Sequence, residues 1–453
     1  MLFAPRTIYV NELKGLFKEN LHDKNGWGEP REILAVLGEP HCGKTSLVLK
    51  AYENRADLCY FSFKGQSENC AQKLLAERVE RYTGIKAASD NWSDIFETMK
   101  HLSGWHYKIF ILDDIQKTED YIGFIDAFEK FRFDPDRNNI FICLVGERLP
   151  TGMGKNIFPC TVNHLALSDV HKMLPKMDAQ NSLLVSTATG GIPELVRLFS
   201  EYENFKDAAW NLTRIDSPLM NYMPHLMDHY FRKPEIYNEL LTVIAEDNTR
   251  ISEIGSVTGY AYNKCEKYLR SLVDVRILKH SGKCYYFRNI YMELYYSFLI
   301  KEKMRLARPQ QFPEITDDYI KAVTRLSEQE YEKACHLHAL NIDFGLDDLY
   351  TGNPLCSIRP SDVIEKGFVY HFESVIPYDG KMLFVKIVRD TDRRFDRNDL
   401  EKIEYAAKKF APLYESIINI YVRCRPADYC ERYAAQYPHI RFHEYDRLKW
   451  RDW

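Results

Sequence analysis

Eight residues, Gly38-Glu39-Pro40-His41-Cys42-Gly43-Lys44-Thr45, restrict the fold of this chain more than any other stretch. They follow an apolar run, Ile33-Leu34-Ala35-Val36-Leu37, and precede a helix-like segment, Ser46-Leu47-Val48-Leu49-Lys50-Ala51-Tyr52. Buried strand, glycine-bounded loop and helix, in that order, are the context that G-x-x-x-x-G-K-[ST] requires. Glycines let backbone N–H groups close round a polyphosphate, and the helix N-terminus adds positive potential. On this reading Gly38, Glu39, Pro40, His41, Cys42, Gly43, Lys44, Thr45 and Ser46 form a nucleotide cradle. Lys44 reaches the β- and γ-phosphates of ATP, and the Thr45 hydroxyl takes one site on Mg²⁺.

A nucleotide site also needs an acid at the carboxyl edge of the same sheet. Lys108-Ile109-Phe110-Ile111-Leu112-Asp113-Asp114 supplies one: an apolar strand that delivers Asp113 as the metal-holding carboxylate and Asp114 to orient or deprotonate the attacking water. A strand over 57–63 and a helix over 68–82 stand between the loop and this run. A further strand, 139–146, ends in Gly146-Glu147-Arg148, where a group sensing the γ-phosphate and an ordinary solvated loop are equally good readings. A fifth strand is expected at 160–165, and a short helix near Tyr9-Val10-Asn11-Glu12-Leu13 opens the chain. Strands separated by helices predict an α/β fold, a five-stranded parallel sheet covered on both faces.

The chain of 453 residues leaves room for two to four domains. A net charge of −4 gives no global nucleic-acid signature, so any such surface has to be a local patch. The 11 cysteines show no C-x-x-C pair, which fits reduced thiols in a cytoplasmic protein. No window approaches 18 uninterrupted apolar residues and the N-terminus lacks a signal pattern, so neither export nor a membrane span is expected.

The loop Gly38–Thr45, the acids Asp113-Asp114 and a later Gly190-Gly191-Ile192-Pro193 together resemble the archaeal-type ATPases, a STAND/AAA+-related family of nucleotide-driven switches. The resemblance implies that Gly191-Ile192-Pro193 begins a lid helix near the nucleotide, with Pro193 counted among the nucleotide-site residues. Pro193 also suits the first turn of an ordinary helix. Two departures stand out. Asp114 occupies a position where the family more often has Glu, which points to slow hydrolysis. Asn11 occupies one where related chains often carry an Arg.

Residues 168–230 read as helices. Three more follow at about 236–245, 249–255 and 262–273, the last with an apolar stripe of Cys265, Tyr268, Leu269 and Leu272. A hairpin round Ser281-Gly282 completes the pattern of a winged helix-turn-helix. Asn263, Lys264, Lys267 and Arg270 lie off the stripe, with Lys279, Lys283 and Arg288 on the wing. They could meet DNA phosphates and base edges, or form a solvated basic face of a module that docks on protein. An aromatic-rich helix over 289–305 follows, and the resemblance extends to it.

Beyond Pro354 the texture changes to strand (368–377), Asp379-Gly380 turn, strand (382–388), helix (397–410), strand (416–422), helix and a last strand (440–445). This looks like the restriction-endonuclease-like fold appended to some archaeal-type ATPases. Such a site needs a strand acid and then Glu-x-Lys to hold Mg²⁺. The chain offers Glu373 and Lys386, but Phe384 stands at the glutamate position, so a degenerate module is expected. The expected domains are therefore an ATPase core at 1–165, a helical lid at 166–230, a winged helix at 231–300, a helical connector at 301–355 and a nuclease-like domain at 356–453. The expected function is an ATP-binding and slowly hydrolysing switch that acts through its winged helix, its tail, a homo-oligomer or a protein partner. An origin-recognition or loader-type DNA-binding protein and an active Mg²⁺ nuclease are its alternatives.

Overall fold

The computed structural model describes residues 6, 9–11, 13–15, 33–54, 58–101, 108–134, 140–154, 157–306, 308, 311–344, 359–365, 368–378, 380–388, 395–422 and 426–444. Residue Asp379 of the expected turn, residues 345–355 of the connector and residues 356–358 at the start of the expected nuclease-like domain lie outside them. The chain forms two compact units, one of Pro5–His164 and one from Leu165 onward.

In the first unit the apolar run Ile33–Gly38 (β1) leads through the loop into Lys44–Ala51 (α1). Leu58–Ser62 (β2), Glu68–Thr83 (α2), Trp92–Lys100 (α3), Lys108–Asp113 (β3), Phe124–Arg132 (α4), Ile140–Gly146 (β4) and Ile157–Val162 (β5) follow. The five strands are all parallel, in the order β2-β3-β4-β1-β5. β1 is therefore interior, and β3 sits one strand away from it, beyond β4. Every residue of β4 is buried, as an unbroken apolar run in a doubly covered sheet demands.

One face is sealed by an aromatic cluster of Phe63, Trp92, Phe96, Phe124 and Phe128, drawn from β2's exit and from α3 and α4. Each such ring contributes about 2–3 kcal/mol by leaving water. The sequence reading does not anticipate α3, although Trp92, Ile95, Phe96 and Met99 are buried at helical spacing and Asn91 caps it by accepting from Asp94 N–H at 2.8 Å. β5 runs from Ile157 to Val162 rather than over 160–165. Leu165 begins the second unit instead, donating its N–H to Gly191 O at 2.8 Å.

The second unit opens with five helices, Leu167–Met173 (α5), Ala179–Thr189 (α6), Pro193–Arg197 (α7), Phe205–Leu212 (α8) and Pro218–Tyr230 (α9). The turn between α6 and α7 has a strict steric requirement. Gly190 and Gly191 both have positive φ, at 59° and 68°. A Cβ would meet Asn289 Oδ1 at 1.8 Å on Gly190, and Leu165 O at 2.2 Å on Gly191. Asn289 donates to Gly190 O at 2.9 Å while accepting from Tyr291 N–H at 2.9 Å. The glycine pair is thus the point where two distant segments close on the α6–α7 turn.

Pro234–Ile244 (α10), Ile251–Thr258 (α11) and Tyr262–Asp274 (α12) are followed by the antiparallel hairpin Leu278–Ser281 (β6) and Cys284–Phe287 (β7). The aromatic segment is helical as expected: Ile290–Leu294 passes through a π turn, Tyr295–Leu299, into Ile300–Leu306. The long helix Phe312–Phe344 (α13) precedes a second five-stranded sheet, ordered β12-β11-β10-β9-β8. Its strands are Arg359–Glu365 (β8), Phe368–Tyr378 (β9), Lys381–Val388 (β10), Glu415–Val422 (β11) and Ile440–Glu444 (β12). β8 is an addition to the expected pattern. Leu383, Val385 and Ile387 of β10 face α13, while Met382 and Phe384 face Arg397–Phe410 (α14) on the other side. That two-sided burial produces the unbroken apolar run read in the sequence.

Candidate nucleotide site

Every feature of the loop follows from close backbone approach. A Cβ on Gly38 would stand 2.2 Å from Val162 O on β5, so only glycine fits. His41 and Gly43 adopt positive φ, 58° and 91°, the left-handed turns from which an anion-binding nest of backbone N–H groups is built. No side chain caps α1, so its first-turn N–H groups are left for an anion at the loop's mouth. Lys44, nine-tenths buried, lies across the loop with its Nζ donating to Gly38 O at 3.0 Å and Glu39 O at 2.6 Å. Glu39 sits 3.4 Å from His164 Nδ1, Cys42 is fully buried, and His41 and Ser46 are exposed. Burial pushes the Cys42 thiol up, only partly offset by the Lys44 charge, so it stays protonated.

The carboxylates stand where β3 leaves the sheet. Asp113 is 4 % exposed. Its Oδ2 accepts from Thr45 Oγ1 at 2.6 Å and from Tyr60 OH at 2.8 Å, and its Oδ1 from Asp114 N–H at 2.8 Å. Burial raises its pKa, the two hydroxyls lower it and the charge of Asp114 raises it again. Asp114 takes the left-handed conformation, φ 58°, and accepts from Ser62 Oγ at 2.8 Å. Loop hydroxyl and strand carboxylate are thus in contact across β4, 68 positions apart in sequence.

Four residues of this site are missing from the sequence reading. Tyr60 and Ser62 come from β2, whose register sets Ser62 against Asp113. The Arg6 guanidinium, 6 % exposed, holds Cys42 O at 3.1 Å and Asn163 O at 2.5 Å from behind the loop. Gln116, just past the acids, accepts from Glu147 N–H at 3.2 Å. Only the β2 pair had a signal, the alternation that places Tyr60 and Ser62 on one face. Arg148, one of the two side chains weighed as a γ-phosphate sensor, is hydrogen-bonded to Glu119.

The remaining candidates lie in the second unit. Pro193 opens α7. Asn263, Lys264, Lys267 and Arg270 are all exposed on α12, with the Lys264 ammonium 3.5 Å from the centre of the Tyr260 ring and Arg270 3.5 Å from Glu266. Glu373 on β9 is 2 % exposed, accepts from Ile387 N–H at 2.8 Å and lies 3.5 Å from Lys386 Nζ. Lys386 also donates to His371 O at 2.8 Å, and Phe384 is fully buried. Among the described residues no group of three His, Cys, Asp or Glu side chains is arranged to hold a metal, and no helix is long and apolar enough to cross a membrane.

No family model matches the chain. An uncharacterised protein of Methanocaldococcus jannaschii is 23% identical over 315 residues, 64% of this chain and 67% of that one. Among solved structures, a Walker-type ATPase of Pyrococcus abyssi is 14% identical with a TM-score of 0.48, covering 63% of this chain and 94% of its own. The Aeropyrum pernix ORC1 protein in complex with DNA is 15% identical with a TM-score of 0.37, covering 67% and 94%. A STAND protein with a tetratricopeptide repeat sensor from Pyrococcus horikoshii is 14% identical with a TM-score of 0.28, covering 74% and 52%. All three scores fall below 0.5, and the fold is carried by the chain's own strand order and loop. An interior strand feeding a phosphate-type loop, with the acid-bearing strand one place removed, is the plan of the P-loop NTPases, and Pro5–His164 folds on it, as in the archaeal-type ATPases that the chain resembles.

Proposed function

We propose that the chain is an ATP-dependent molecular switch, a slow Mg²⁺-ATPase whose nucleotide state is passed to the helices, hairpin and sheet of the second unit. The observation that carries this is the 2.6 Å hydrogen bond between Thr45 and Asp113, which brings a loop hydroxyl and a strand carboxylate to one point. Those two oxygens are the ones that would hold a Mg²⁺ ion accompanying the nucleotide's phosphates. The residues fit the group: hard oxygen donors for a hard cation, a nest of backbone N–H groups and one ammonium for the phosphates. Bound Mg²⁺·ATP supplies a polarised terminal phosphate.

The chain's own part is binding, alignment and proton handling. Lys44 exchanges the two loop carbonyls for phosphate oxygens. Asp113 keeps its carboxylate aligned through the Asp114 N–H and Tyr60. Asp114, restrained by Ser62, accepts the proton of the attacking water; its shorter reach than Glu favours slow turnover and a long-lived ATP state. Measuring ATP binding by calorimetry tests the reading. Lys44→Ala should weaken Mg²⁺·ATP about 100-fold through the loss of charge-assisted bonds to two phosphates. Unchanged affinity would remove the foundation.

A second reading concerns α12 and the β6–β7 hairpin, which with α10 and α11 we read as a winged helix. Its exposed basic face favours contact with duplex DNA. Salt-dependent duplex binding that is lost in a Lys264/Lys267/Arg270 triple alanine variant would support that reading; salt-independent binding would oppose it. For the C-terminal sheet we propose a nuclease-like fold without the reaction, since Glu373 is already held by Ile387 N–H and Lys386 and Phe384 supplies no carboxylate. A cytoplasmic location accords with this reading.

A further inference from the structure

β4 ends on Gly146, which the sheet register sets against Leu37, the last residue before the phosphate loop. On the nucleotide reading that strand end lies at the phosphate edge of the sheet, yet no side chain can stand there. A Cβ on Gly146 would come within 2.5 Å of Gln116 Oε1, 2.9 Å of Ile115 Cγ2 and 3.3 Å of Ile115 N. The position is glycine because the chain leaving β3 crosses over it. Two residues further on, the cation of β4's exit is committed elsewhere. The Arg148 guanidinium is held by Glu119, whose other carboxylate oxygen accepts from Thr151 Oγ1 at 2.6 Å.

Gln116 occupies the space that Gly146 leaves. Its Oε1 accepts from Glu147 N–H at 3.2 Å, and that bond settles the orientation of the carboxamide. A backbone N–H can be met only by the oxygen end, so the oxygen is turned to β4 and the NH₂ away from that N–H. The result is a neutral donor, fixed by backbone, at the phosphate edge of the sheet and two residues beyond Asp114. A fixed donor at the site of greatest negative charge needs no reorganisation when that charge arrives.

We infer that Gln116 reads the third phosphate in this chain, its carboxamide NH₂ donating to a γ-phosphate oxygen in place of a side chain at the end of β4. The inference rests on the nucleotide reading above and adds to it the residue that separates ATP from ADP. ADP offers no acceptor at that point, so Gln116 contributes to ATP affinity alone.

Gln116→Glu isolates the donor, because it keeps the shape and the oxygen facing Glu147 N–H while removing the NH₂ and adding a negative charge. Gln116→Leu removes the donor without the charge. Calorimetry on the full chain with Mg²⁺ and either ADP or a non-hydrolysable ATP analogue gives the readout. Both variants should bind the analogue about 10- to 100-fold more weakly than the parent, as expected for one charge-assisted hydrogen bond, with ADP affinity within about twofold. Variants that keep the parent's ratio of the two affinities, or that lose ADP as much as the analogue, would overturn the assignment. Lys44→Ala, run alongside, separates the two failures: if it binds both nucleotides like the parent, the nucleotide reading itself falls.

Discussion

Two carboxylates in two sheets of this molecule look alike in sequence and differ in circumstance. Asp113 and Glu373 both lie on apolar strands, and both are almost fully buried. Asp113 is held by two side-chain hydroxyls, Thr45 and Tyr60, together with the next backbone N–H. Hydroxyls rotate, and one of them belongs to the loop that would grip a nucleotide, so the carboxylate can exchange partners for a cation without breaking the sheet. Glu373 accepts from the N–H of Ile387, a β10 residue beyond the last β9–β10 pair, Val385 with Ser374, and meets Lys386 on the same strand. There the carboxylate stands in for a strand carbonyl and closes the sheet. Ligand chemistry depends on which partners a buried acid can release, and burial alone does not reveal that.

The largest effect expected from this contrast is on turnover. Asp113→Asn keeps the shape and loses the charge that a metal needs, so Mg²⁺-dependent ATP hydrolysis should fall about 100- to 1,000-fold while metal-free nucleotide binding changes little. Phosphate release and calorimetry on one preparation check both halves. Retention of parental turnover would mean that Asp113, like Glu373, is structural.

The reverse experiment is Glu373→Ala. It leaves Ile387 N–H and the Lys386 ammonium without their carboxylate, at a cost of about 2–4 kcal/mol to the C-terminal sheet. Hydrogen exchange in β9 and β10 should quicken accordingly, while ATP affinity and turnover stay within about twofold. A drop in turnover with the sheet intact would contradict the comparison.

These two acids show how far the sequence carries. The loop, the Asp113-Asp114 pair and the alternation of buried strands and helices are local patterns, so the order and type of most elements could be read directly, α3 and β8 excepted. Partners could not. Arg6 meets Asn163 across 157 positions, and Tyr60 meets Asp113 across 53. Such contacts are fixed by strand order, which no local pattern encodes. Gly190 and Gly191 read as a turn in the sequence and Gly146 as a strand end, but packing against Asn289 and Leu165, and against Ile115 and Gln116, is what excludes a side chain there. β8 escaped because the apolar pattern beyond Pro354 becomes continuous only at Phe368.

A smaller effect tests whether the C-terminal sheet is sealed throughout. Behind β11, His338 Nδ1 meets Tyr421 OH at 2.8 Å, and His443 Nε2 meets Asn419 Oδ1 at 2.7 Å. Burial, and then the charge of His443, lowers His338 to about 3; burial, and then Arg441, lowers His443 to about 4. The unfolded chain takes up these protons near pH 6.5 and the folded one refuses them until well below that. Stability is therefore complete above pH 6.5 and lost as pH falls towards 4, by about 1–2 kcal/mol per histidine at pH 5.5. Denaturation followed between pH 7 and 5 should show this slope, and a His338→Gln, His443→Gln variant should flatten it.

The smallest effect lies back at β3. Tyr60→Phe removes one of the two rotatable donors to Asp113 Oδ2 and leaves Thr45 as the other. Thr45 is also the hydroxyl that would turn to the metal, so in the loaded site Tyr60 becomes the side-chain donor that keeps the carboxylate aimed. Losing one of several charge-assisted hydrogen bonds to a carboxylate costs about 1.5 kcal/mol, which predicts a roughly tenfold rise in the Mg²⁺ concentration needed for half-maximal turnover. Saturating Mg²⁺ should restore most of the parental rate, because the metal can impose the alignment that the hydroxyl no longer supplies. That recovery distinguishes an aiming role from a packing role: a Tyr60→Phe protein whose deficit persists at every Mg²⁺ concentration has lost sheet geometry, and Asp113 would then be held as rigidly as Glu373.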